Sequence, residues 1–183
     1  MPQRESAAVS AVLEFWREAG YERWFSKDTD FDRRFSERFL DLHMAVAARR
    51  HDAWLGAPDG ALALLILTDQ FPRNAFRGTG HMYATDPLAR HYARRAIALD
   101  YLERIEPDLR VFLCLPFTHS EDLADQDLAV ALNQRFNGSS LQYAQHHREI
   151  IRRFGRFPHR NLLLGRESTP EEESFLADGG FAG

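Results

Sequence analysis

Two short stretches of the sequence gather its donors. "FGRFPHRNLLLGREST", Phe154 to Thr169, holds Arg156, His159, Arg160, Asn161 and Arg166, and "DQFPRNAFRGTG", Asp69 to Gly80, repeats the same words with Arg73, Asn74 and Arg77. Arginine carries a rigid planar fork of donors that matches a carboxylate or phosphate, so both stretches have the chemistry to hold an anionic group bidentately. Asn74 and Asn161 would fix its orientation. The same donors also have a structural use, because beside a helix C-terminus they bond its last carbonyls and oppose the negative end of its dipole. They outnumber what two helix ends require, and Asp69, Glu121 and Glu167 are carboxylates able to partner them from across the fold. Both uses stay open on sequence alone.

A second group lies in "PFTHSEDLADQD", where His119 and Glu121 stand at a helix start. Imidazole titrates near neutrality, so His119 or His147 is the candidate for proton transfer, with Glu121 orienting it. His119-x-Glu121 resembles part of a zinc deaminase signature, but that site also needs a Pro-Cys-x-x-Cys segment, and the chain has one cysteine. "HHREI" places His146, His147 and Glu149 on different helical faces, unlike a helical zinc motif. A metal assembled from His119, Glu121, His147 and His159 is the remaining route to a metal-dependent hydrolase; no metal ligand set is assigned, and no cofactor is indicated. No Gly-x-Ser-x-Gly elbow, phosphate-binding Gly-Lys loop or dinucleotide fingerprint occurs. Whether the protein is an enzyme is left undecided by its sequence.

The elements that must position these residues read as helices throughout. Val9, Val12, Leu13 and Trp16 give the first a buried face, with Gly20 as its stop. Phe31, Phe35, Phe39, Leu42 and Val46 recur at helical spacing in the second, with Asp30 as its expected cap. "DGALALLILTDQF" is apolar nearly all round, a helix buried on several sides that Pro72 should end. Asp86-Pro87 opens another helix, Pro107 and Pro116 bracket a shorter one, and Ser120 is the expected cap of a helix carrying Leu128, Leu132 and Phe136. A turn at Asn137 leads to a stripe of Tyr143, His147, Ile151 and Phe154 ended by Gly155, and Thr169-Pro170-Glu171-Glu172 reads as a capping box. The fold class is all-α, about seven to nine helices joined by short turns.

Composition narrows the partners. The 183 residues suit one domain, residues 1–183, and 44% hydrophobic with 27% charged residues is an ordinary globular balance. A net charge of −4 argues against generic affinity for nucleic acid or an anionic membrane, although it allows a local basic pocket. The single Cys114 in the apolar run "VFLCLP" points to core packing and a reducing, cytoplasmic compartment. The longest apolar run, "ALALLILT", is too short to span a bilayer. Oligomeric state is not encoded in any of these features.

Taken together, "LALLILTDQFPRNAFRGTGHMYATDPLAR", "LPFTHSEDLADQD" and "HHREIIRRFGRFPHRNLLLGREST" resemble the bacterial domain-of-unknown-function family 924, over about Val12 to Phe181. The family's signature falls on Asp69 to Asn74, Arg77 and Asp86; on Pro116, His119, Ser120 and Glu121; and on His147, Arg148, Phe154 to Asn161, Gly165, Arg166, Ser168 and Thr169. The resemblance implies helical hairpins in a tetratricopeptide-like right-handed superhelical array, and it implies no particular activity. Two functions are therefore expected to compete. One is a cleft binding a small anionic ligand through Arg73, Arg77, Arg156, Arg160 and Arg166. The other is a scaffold holding a protein or peptide, which predicts an exposed apolar or aromatic patch rather than a closed donor-lined pocket.

Overall fold

A computed structural model describes residues 3–135 and 140–183, and the regular elements among the described residues are all helical. The expected core residue Phe136 and the turn at Asn137 lie outside the described residues. The chain forms two compact units, residues 1–77 with 81–116 and residues 78–80 with 117–183.

In the first unit, α1 (Gln3–Trp24) buries Val9, Val12, Leu13 and Trp16, as its periodicity requires. Gly20, at φ 71° and ψ 170°, breaks it, the left-handed region that glycine enters without a Cβ penalty. The break lets the last turn fold back: the Trp24 ring stacks 6.2 Å from that of Trp16, and its Nε1 donates to the Trp16 carbonyl at 2.6 Å. That bond satisfies a carbonyl which a helix end would otherwise leave open. Helix α2 (Thr29–Ala47) presents Phe31, Phe35, Phe39 and Val46 to the core, and also His43, which periodicity alone did not single out. Its cap is Asp28 rather than Asp30: the Asp28 carboxylate accepts from the amides of Asp30 and Phe31, each at 3.0 Å. Asp30 falls inside the first turn, where its charge opposes the positive end of the dipole.

Helix α3 (Pro58–Leu65) packs on α1, and its Gly60 is demanded by contact, since a Cβ there would lie 2.1 Å from the Trp54 carbonyl oxygen. Pro72 does not end this run. The chain widens into a π-helical segment, Ile66–Gln70, and continues as α4 (Phe71–Ala75), with Pro72 in its first turn. A proline has no amide proton and clashes with the preceding turn of a regular helix; one wider turn absorbs both problems. Helix α5 (Asp86–Ala98) starts one residue earlier than expected, with Thr85 at the cap position and Asp86 already inside. Helix α6 (Val111–Thr118) runs through Pro116 instead of stopping there, and carries the buried Cys114.

In the second unit, α7 (Leu123–Asn133) packs on α8 (Ser140–Phe154). Asp122 caps α7, accepting from the Ala124 and Asp125 amides, while Ser120 donates to Asp125 at 2.7 Å. A carboxylate two residues nearer the helix outcompetes the hydroxyl for the open amides. Along α8, His147, Ile150 and Ile151 are buried, but Tyr143 is 61% exposed and lies off the core face. Gly155 stops the helix at φ 70°. Helix α9 (Pro170–Ala177) opens on the expected capping box between Thr169 and Glu172. The core joins Ile150, Ile151 and Phe157 to Phe154, Phe175 and Phe181. Replacing Gly155 by Ala should lower stability by about 1 kcal/mol, because the Cβ meets no neighbour and the cost is backbone strain alone. Urea unfolding of Gly155→Ala measures it.

Candidate functional site

The donor-rich corner of the first unit begins with the π-helical turn. Phe71 donates to the carbonyl of Ile66, five residues back. In that register the carbonyl of Leu67 falls to Pro72, which has nothing to donate. His43 takes it instead, with Nδ1 2.8 Å from the Leu67 oxygen. Since a carbonyl only accepts, Nδ1 carries the proton and Nε2 is left with its lone pair, buried and without a hydrogen-bond partner among the described residues. Burial lowers the His43 pKa, opposed by the Leu67 bond and reinforced by the nearby His81, so the ring is neutral.

Arg73 lies with its guanidinium on two carboxylates of this unit: Nη1 is 3.1 Å from Asp69, and Nη1 and Nη2 reach the two oxygens of Asp86 at 2.9 and 3.0 Å. Asp69 and Asp86 are almost wholly buried. Burial alone would lower the Arg73 pKa, but Asp69 and Asp86 together raise it, so the cation is fixed. Asn74 donates to the carbonyl of Gln70 at 2.8 Å and accepts from Arg77 at 3.1 Å, and Arg77 grips Asp32 with two bonds.

The second corner is held as closely. Arg156 makes two bonds to Glu172, at 2.6 and 2.8 Å, and a third to the carbonyl of Glu167. Arg166 makes two bonds to Glu121, at 2.7 and 3.0 Å, and a third to the carbonyl of Phe157. Arg160 donates to the carbonyl of His119 at 3.0 Å, and its guanidinium lies 4.6 Å from the Phe157 ring centre. The Asn161 side-chain amide donates to Ser168 and Glu172, and its backbone carbonyl accepts from the amides of Leu164 and Arg166. Glu121 also accepts the Phe157 amide at 2.8 Å. Burial raises the Glu121 pKa, but the bonds from Arg166 and Phe157 outweigh it and hold the carboxyl below its ordinary range.

The imidazoles of this unit form an aromatic cluster. His147 donates Nδ1 to the Tyr143 carbonyl at 2.8 Å, and its ring meets Phe181 at 4.5 Å and Phe157 at 5.4 Å. His159 meets Phe181 at 5.1 Å and Phe157 at 5.6 Å. Burial, reinforced by neighbouring cations and imidazoles, pushes His147 down to about 3 and His159 down to about 4. Both rings are neutral at pH 7. Among the described residues, no group of three or more His, Cys, Asp and Glu side chains is arranged to hold a metal ion. No helix among them is long and apolar enough to cross a membrane.

The scaffold reading calls for an exposed apolar or aromatic patch without placing it, and an exposed aromatic groove is present. It lies in the first unit beside the Gly20 break, with a volume of about 490 Å³, and is lined by Arg17, Gly20, Tyr21, Trp24, Glu106, Asp108 and Leu109. Phe25 adjoins it, its ring 5.3 Å from that of Tyr21 and stacked 6.1 Å from buried Phe112. Tyr21 is 63% exposed and Phe25 51%. The sequence signal was present, three aromatic residues within five positions directly after a helix-stopping glycine, in "GYERWF".

Comparison with known proteins agrees with the helical fold. None of the curated proteins compared with this chain matches it. A solved structure from Agrobacterium tumefaciens, that of the protein of unknown function ATU0120, is 52% identical over 95% of this chain and 99% of its own, with a TM-score of 0.93. The family model described as "Bacterial protein of unknown function (DUF924)" matches residues 12–180, so the chain belongs to that family.

Proposed function

We propose that the protein is a helical interaction module that holds a peptide segment of a partner protein in the aromatic groove of its first unit, working in the cytoplasm in the manner of tetratricopeptide-type hairpins. The observation that carries this reading is the contrast between the two kinds of surface. Each of Arg73, Arg77, Arg156 and Arg166 is already bonded twice to a carboxylate of its own unit, and Arg160 bonds a backbone carbonyl. An incoming anion would have to displace those partners. At the groove, Tyr21 and Phe25 instead present large ring area to solvent, and such residues anchor peptide and protein contacts.

Panning the full chain against a displayed random-heptapeptide library tests this. The expected result is a peptide set whose binding falls at least about tenfold for a Tyr21→Ala/Phe25→Ala variant that unfolds with the wild-type midpoint. Peptides that bind the variant equally well would sink the docking site.

One observation favours a second reading, capture of a small anionic ligand in the second unit. Nδ1 of His159 is buried without a hydrogen-bond partner among the described residues, close to the charge of Arg160. A ligand oxygen entering there would meet an unused ring nitrogen. It predicts that phosphate or citrate raises the melting temperature and that His159→Gln abolishes the rise, because a ligand selective for the native state must stabilise it. The absence of any rise at matched ionic strength would count against it.

A further inference from the structure

We infer that the groove selects an arginine side chain of the docked segment, its guanidinium packed on the Tyr21 and Phe25 rings and facing the carboxylate of Asp108. This inference rests on the docking reading above and adds the chemistry of the occupant.

Charge is the first argument. Of the ionisable groups that line the groove, Arg17 is consumed by Glu106, which it grips through Nε at 3.1 Å and Nη2 at 2.8 Å. Asp108 is exposed, and its carboxylate takes part in no hydrogen bond or ion pair among the described residues. One carboxylate is therefore left over, and the groove repels an anion and attracts a cation.

The rings are the second. Phe25 has one face stacked on Phe112, at an interplanar angle of 10°, which leaves the other face for a ligand. Tyr21 stands against Phe25 at 63°. A ring face carries the negative side of the aromatic quadrupole, so a cation is favoured over it. Trp24 adds no competing donor, because its indole N–H is spent on the Trp16 carbonyl.

Space and backbone are the third. Around Gly20 nothing lies within 4 Å of where a Cβ would be, so a peptide can approach the main chain of the groove floor. The volume of about 490 Å³ falls within the range of small-ligand sites, enough for one long side chain with part of its own backbone. Arginine fits better than lysine, since its guanidinium is planar, weakly hydrated and able to stack while it bonds a carboxylate.

The test uses dye-labelled, end-blocked heptapeptides of alanine and leucine with a central arginine, lysine, citrulline or glutamate, titrated into the full chain and read by anisotropy. The arginine peptide should bind about tenfold more tightly than its neutral isostere citrulline, lysine should fall between them, and glutamate should bind worst. Asp108→Asn should remove most of the difference between arginine and citrulline without changing the unfolding midpoint. Equal binding of arginine and citrulline, with both still lost in Tyr21→Ala/Phe25→Ala, would overturn the charge selection and keep the docking site. Lysine binding as tightly as arginine would overturn the preference for guanidinium. Binding that ignores the two ring substitutions would remove the docking site itself.

Discussion

Replacing Arg73 by Met should lower the stability of the protein by about 3–5 kcal/mol, the range for breaking a buried ion pair by removing one partner. The side chains of Asp69 and Asp86 are only 1% and 7% exposed, and the one guanidinium lies on both. Without it two carboxylates share a desolvated site and lose the cation that offsets their charge. Methionine keeps much of the side-chain volume, so the loss reports charge rather than a cavity. Arg73→Lys should recover only part of it, because an ammonium cannot reproduce the paired bonds to Asp86. Arg33, paired with Glu37 on the surface, is the natural control: solvent screens that pair, so Arg33→Ala should cost far less than Arg73→Met. Urea unfolding of the variants measures each loss, and an Arg73→Met loss no larger than that of Arg33→Ala would show that the buried cluster is not a stabilising element.

The second large effect belongs to Glu172, whose side chain is 3% exposed. The two bonds from Arg156 come first among the groups that hold its pKa down to about 2; burial opposes them, and the Thr169 amide and Asn161 assist. The unfolded chain protonates this carboxyl around 4.5, so between there and about 2 the unfolded state binds the extra proton. Stability from this group is therefore complete above about pH 4.5 and drains away as the pH falls towards 2. A difference of that size carries roughly 3 kcal/mol at neutral pH. Glu172→Gln should cost about 2–3 kcal/mol at pH 7 and little at pH 2, where the wild-type carboxyl is about half protonated in the folded chain and fully protonated in the unfolded one. Glu121 and Asp28 are likewise held below their ordinary range, so the check is the difference between variant and wild-type unfolding curves across pH. A constant difference from pH 7 to pH 2 would refute the assignment.

Much of the helical framework was legible because it depends on local periodicity and local sterics. Phe31, Phe35 and Phe39 recur at helical spacing and are buried; Gly20 and Gly155 interrupt helices in left-handed backbone; Thr169 and Glu172 cap each other within four residues. The errors share one cause, a choice between near-equivalent local options settled by the rest of the fold. Pro72 reads as a stop by every local rule, yet buried packing on both sides keeps the run helical, and the backbone gives way by a wider turn. Asp28 and Asp30 are both good caps, and only the start of α2 distinguishes them. The fate of the arginines was less accessible still. Arg77 meets Asp32 and Arg166 meets Glu121, each across 45 positions of sequence. No spacing rule reaches that far, so which acids these donors meet cannot be read from the sequence. The groove was not located for a different reason: Tyr21 and Phe25 follow the break at Gly20, where the periodicity of the first helix no longer assigns a residue to a face.

The fold-back at Gly20 also gives the protein an optical reporter. The chain has three tryptophans, of which Trp16 and Trp54 are fully buried and Trp24 alone lines the groove. A small neutral quencher such as acrylamide should therefore act mainly at the 9% exposed edge of Trp24, with Trp54 as a constant background. Anything seated against Tyr21 and Phe25 should shield that indole, so the quenchable fraction of the emission becomes a label-free measure of occupancy. Because Trp24 stacks on Trp16, the change will also be felt by its buried neighbour through excited-state transfer, and a single glycine is what places the two rings close enough for that.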